Sequence, residues 1–151
     1  MSFPSRTSTL RPRDVGPWSQ LKAPTSDITA DGWLPNVGSS LFAVVSELQA
    51  SKVDYAYSPS NPTTQKMELK FAPATDPVSS SGYAFDYILK AKGLDTVFDF
   101  NLVQNTTVLD SWSETVTAAE GFVLRSHNFS SAVTDSITDH ADVRFRLVAR
   151  A

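Results

Sequence analysis

Apolar and polar residues alternate with period two through most of the second half of the chain, the pattern of a strand with one buried face. At Met67 to Phe71 the apolar positions 67, 69 and 71 alternate with Glu68 and Lys70. From Tyr83 to Leu89 the odd positions are large and apolar, and from Val97 to Val103 the residues Phe98, Phe100 and Leu102 oppose Asp99 and Asn101. Asn105 and Thr106 supply a turn, so Thr107 to Val116 is predicted as the hairpin partner of that strand. Leu109 and Trp112 differ in parity, which predicts a bulge or break near Asp110. A last strand follows from Val143, Phe145, Leu147 and Ala149, which alternate with Arg144, Arg146 and Arg150. Phe71, Phe85, Phe100, Phe145 and Leu147 are the expected core.

Two short segments carry helical spacing instead. Ser130 or Ser131 is suited to cap a turn or two in which Val133 and Ile137 stand four apart, and 39–48 places Leu41, Val44, Val45 and Leu48 on one face. Seven or eight short strands without long intervening helices predict an all-β fold, a single β-sandwich of jelly-roll-like topology. All nine prolines lie within the first 77 residues. Proline cannot donate to a central strand, so the first half is expected to be extended and rich in loops.

Charge divides the chain more sharply. Residues 1–23 carry Arg6, Arg11, Arg13 and Lys22 against Asp14 alone, a local charge of +3, which leaves −6 on the remainder of a chain of net charge −3. Pro4, Pro12 and Pro17 prevent a regular helix there, and Phe3, Leu10, Val15, Trp18 and Leu21 follow neither period. The segment 1–24 therefore reads as an extended arm and 25–151 as the sandwich. A solvated tail is the other reading of 1–24, although Phe3 and Trp18 are unusual in one.

Composition narrows the chemistry. The absence of cysteine removes disulfides, thiolate metal sites and thiol catalysis together. The acidic balance argues against a nucleic-acid binder, no run is long and apolar enough to suggest a signal or membrane span, and no glycine-rich phosphate loop is present. Serine catalysis needs an oriented base, and neither His127 nor His140 has a recognisable partner in sequence. Asp135, Asp139 and Asp142 have spacings that would gather carboxylates on one side of a helical turn, with a solvated helix face as the competing reading. The run Asp27 to Gly32 lacks the spacing of a calcium loop and is expected to be a turn before Trp33. Trp18, Trp33 and Trp112 are candidates either for core and subunit contacts or for stacking on sugars. The expectation is a protein that is not an enzyme and uses no cofactor or metal.

Four segments taken in order, Thr25-Ser-Asp-Ile-Thr-Ala-Asp-Gly-Trp33, Leu41-Phe-Ala43, Asp54-Tyr-Ala-Tyr-Ser58 and Ser136-Ile-Thr-Asp-His-Ala-Asp-Val-Arg-Phe-Arg-Leu147, resemble a group of small structural proteins of tailed-bacteriophage virions. The resemblance spans about residues 25–149, and His140 stands where an aromatic such as Tyr is expected. It implies a β-sandwich on the capsid or tail. Joined to the absence of catalytic groups, it leads to the expectation of a capsid decoration or cement protein. Such a protein would assemble in the host cytoplasm, bind the major capsid protein as a homo-oligomer, with a trimer favoured, and engage neither nucleic acid nor membrane. The arm would anchor through Phe3, Leu10, Val15 and Trp18 and meet acidic protein surface through Arg6, Arg11 and Arg13. A carbohydrate- or receptor-binding module of a phage tail or fibre is the alternative.

Overall fold

The computed structural model describes residues 9–12, 22–45, 54–76 and 83–151. In chain order its elements are β1 (Thr9–Pro12), β2 (Pro24–Thr29), β3 (Leu34–Pro35), α1 (Leu41–Val45), β4 (Ala56–Tyr57), β5 (Lys66–Phe71), β6 (Tyr83–Leu89), β7 (Thr96–Gln104), β8 (Thr107–Val116), β9 (Val123–Asn128), α2 (Ser131–Ser136) and β10 (Val143–Arg150). A five-stranded sheet in the order β2-β5-β10-β7-β8 packs on a three-stranded sheet in the order β1-β6-β9, and β3 and β4 form a small ribbon. Every pairing is antiparallel. The all-β sandwich expected from the alternation is the fold.

The alternating runs became strands because each has one face to bury. Phe71, Phe85, Phe100, Phe145 and Leu147 are all buried and belong to one hydrophobic core. Phe85 of β6 lies parallel to Phe145 of β10 at 3.5 Å between ring centroids and meets Phe71 and Phe100 edge-on. These contacts place β6 over the middle of the larger sheet. The predicted bulge is present in the β7/β8 hairpin, where Leu102 pairs with Asp110 but Val103 pairs with Val108. Leu109 is the extra residue, and Asn105 takes the left-handed turn position at φ 54°.

Ser130 caps α2, its hydroxyl accepting from Val133 N, and Ile137 and Val133 pack on the core as the spacing predicts. In α1, Leu41 and Val44 are buried, while Leu48 of the predicted helix lies outside the described residues. Asp27 caps this helix from a distance, its carboxylate accepting from Leu41 N at 2.9 Å and Phe42 N at 2.7 Å. The turn expected before Trp33 is formed by Asp31 and Gly32, and Asp31 also accepts from Lys66 N.

Candidate functional site

Four regions hold the side chains and edges that sequence reasoning singled out. The first is the seat of β1. Residues Thr9 to Pro12 pair antiparallel with β6, with Leu10 at the register position of Phe85 and Arg11 at that of Ala84. Two of the arm residues are thereby placed in the smaller sheet, whereas Phe3, Arg6, Arg13, Val15 and Trp18 lie outside the described residues. Tyr83 to Tyr87 of β6 are all buried, with Ala84 fully so. Without β1, β6 would be an edge strand with one row of backbone N–H and C=O groups unpaired.

The second region is a seam where the edge strands β8 and β9 face each other across the sandwich. His127 Nε2 donates to Asp110 Oδ2 at 2.9 Å, and its ring lies parallel to Trp112 at 4.0 Å between centroids. Trp112 is also parallel to Phe100 and donates from Nε1 to the Tyr87 hydroxyl, which in turn donates to Glu114 at 2.7 Å. Burial, reinforced by the hydrogen bond to Glu114, pushes the Tyr87 hydroxyl well above its ordinary pKa. Arg125 closes the row by pairing with Glu114 and Glu120. The expectation that neither histidine has a partner is therefore corrected: His127 has Asp110 and Trp112, and His140 Nε2 lies 3.3 Å from the Tyr83 hydroxyl. Burial, with a smaller contribution from Asp76, raises that hydroxyl's pKa to about 12. Both pairs join residues distant in sequence, so adjacency could not reveal them.

No family model, curated protein or solved structure matches this chain. The site must therefore be read from its own geometry.

The third region is the outer face of the larger sheet, a ladder of ion pairs. Glu68, 4% exposed, accepts from Arg146 Nε at 2.8 Å and from Arg144 at 3.5 Å. Arg144 also forks onto both oxygens of Asp142, with Lys70 beside it, and Asp99 pairs with Arg150 and Ser113. The Arg144 hydrogen bond holds the Asp142 carboxyl below its ordinary pKa, and Arg150 does the same for Asp99. The three aspartates considered for a cation do not converge. Asp142 is committed to Arg144, Asp139 accepts from Ala141 N, and among the described residues no cluster of three metal-ligating side chains occurs.

The fourth region is a groove at the β3/β4 end. Exposed Tyr55 and Tyr57 stand at its rim with Lys90, Lys92 and Leu94, and Val45 and Asp54 of its wall bracket residues 46–53, outside the described residues. Tyr55 and Tyr57 have ring centroids 6.4 Å apart. Of the described tryptophans, Trp33 lines the groove from its buried side and Trp112 lies elsewhere. Trp33 is buried and donates to Gln65 O, while Trp112 is held between rings in the seam.

Proposed function

We propose that this chain is a structural protein of a bacteriophage virion, a capsid decoration or cement protein that holds neighbouring subunits of the capsid lattice together through its sandwich and its N-terminal arm. The observation that carries this reading is the seat of β1: a basic, proline-rich segment contributes a strand to a sheet whose other members begin more than 70 residues later. An arm that works by adding backbone to a sheet edge is an assembly device. The opposed charges of arm and body support the same role, since charge complementarity speeds and orients association. His127, His140, Asp139 and Asp142 are engaged in ion pairs, ring contacts and turns, which supports contact-making over chemistry.

The test is binding of the purified full chain to particles that lack it, read by occupancy and by negative-stain images with and without the protein. Stoichiometric occupancy at repeated lattice points is the expected result, and failure to bind any capsid lattice removes the proposal. The paired exposed tyrosines favour one alternative, a glycan- or receptor-binding module of a tail or fibre, because such rings stack on sugars. Retention on a glycan array that is lost in Tyr55→Ala and Tyr57→Ala would favour that alternative.

A further inference from the structure

The β6 edge is a seat that must be filled. Five consecutive residues, Tyr83 to Tyr87, are buried, and only β9 pairs with β6 on its other side. The strand that fills the seat is short: four residues ending at Pro12, which has no N–H to extend the ladder. Its partner positions are far away in sequence, with Thr9 opposite Asp86. Between β1 and β2 lie residues 13–23, which at roughly 3.3 Å each reach about 36 Å when extended, about the width of a domain of this length. The arm is thus short-paired, and its tether is long enough to cross to an adjacent molecule.

Charge draws the arm to the body of a second copy as strongly as to its own. Residues 1–23 carry +3 and the rest of the chain −6, so a second copy presents an attractive body to each arm. Exchanging one β1 for an identical one substitutes the same backbone pairing, which is why strand exchange is a low-cost route to oligomers.

We propose that the β6 edge is a strand-exchange seat, at which β1 of one copy completes the three-stranded sheet of a second copy of this chain. The inference builds on the assembly role proposed above, and it specifies the partner and the contact. Around a closed symmetric ring every copy gives one strand and receives one. The arm then ties the oligomer together through backbone pairing, independently of how the outer surfaces fit.

The chain has no cysteine, so introduced pairs report without interference. Arg11 and Ala84 are register partners. Full-length Arg11→Cys and full-length Ala84→Cys are co-expressed, oxidised and run with and without reductant, with each single variant as a control. A reducible species of two-chain mass that appears only in the co-expressed sample is expected, linking up to half of the chains, the limit that random mixing of the two variants sets. The double variant in one chain should give covalent oligomers whose size reads out the ring. Because Ala84 is fully buried, the Thr9→Cys and Asp86→Cys pair repeats the test at the next register position on the same face. Disulfides confined to single chains, or none in either register pair, overturn the proposal. Particle binding is read separately. Cross-chain linkage without binding to capsids sustains strand exchange and removes the capsid role, whereas binding by protein linked only within chains overturns strand exchange alone.

Discussion

Substitution of His127 measures how the sandwich is closed along its β8/β9 side. Two interactions meet at this ring. The parallel stack on Trp112, with Phe129 edge-on at 5.1 Å, is of a kind that contributes about 0.5–1.5 kcal/mol beyond simple burial. The hydrogen bond to Asp110 joins side chains 26% and 23% exposed, so solvent screening limits it to about 0.5–1 kcal/mol. His127→Ala removes both and is expected to destabilise the fold by about 2 kcal/mol. For a chain of this length that corresponds to a fall in Tm of roughly 4–8 °C.

Two further variants separate the contributions. His127→Gln retains a donor for Asp110 and loses the ring, whereas His127→Phe retains the ring and leaves Asp110 with the Ser111 N–H it already accepts. Each should cost about half of the alanine loss in thermal unfolding followed by circular dichroism. Fluorescence should shift as well, because the indole of Trp112 lies directly against the substituted ring. A His127→Ala protein melting within 1 °C of the parent would refute the reasoning, as would Gln and Phe variants each as damaging as Ala.

Three other outcomes follow from the ion-pair ladder and the arm. Glu68→Ala strips Arg146 of its 2.8 Å partner while Arg144 keeps Asp142, and because both arginines reach solvent the loss should be about 2 kcal/mol, with a double-mutant cycle against Arg146→Ala showing coupling near 1 kcal/mol. Asp142 and Asp99 titrate below the ordinary value of 3.8 in the folded state, so their stabilisation is fully present above that pH and is lost as pH falls through the depressed values. Asp142→Asn should therefore flatten the acid limb of a stability–pH curve measured by denaturant unfolding, and an unchanged limb would count against the pairing. Deleting residues 1–12 unpairs the β6 edge, so the shortened chain should show faster amide exchange along Tyr83 to Leu89 and a greater tendency to aggregate; unaltered exchange there would show that β1 does not protect this edge.

Most of the larger sheet was legible because hydrophobicity and burial coincide there. Phe98, Phe100 and Leu102 alternate with polar residues, and the parity conflict between Leu109 and Trp112 located the bulge. β9 was not legible, since its inward positions include Arg125 and His127, which face Glu114 and Asp110 at the rim of the core. A strand whose buried side is closed by ion pairs has no hydrophobic period to read. β2 was obscured in another way: it carries Pro24 and two register irregularities, which an edge strand tolerates because it pairs on one side only. β1 has no amphipathic signal in four residues, and its role depends on a partner strand far downstream. The partners of His127 and Glu68 were hidden for the same reason, since contacts made across sheets and between neighbouring strands leave no trace in local spacing.

The two edges of the smaller sheet are closed by different physics, and this bears on how the molecule would assemble. On the β9 side, closure is made by side chains of the body itself: Asp110 with His127, Glu114 with Arg125, and Trp112 beneath them. Such a seam joins one particular pair of strands through their side chains. On the β1 side, closure is made by a four-residue backbone ladder, and backbone pairing accepts any strand of suitable length and register. An edge of that kind must be occupied to avoid unpaired groups, yet its occupant can be supplied from within or from a neighbour. In the proposed exchange, the sandwich is locked on one side and takes the strand of a second copy on the other without altering its core. Substitutions in the seam should therefore lower stability with little effect on oligomer size, whereas changes to β1 should alter oligomer size first.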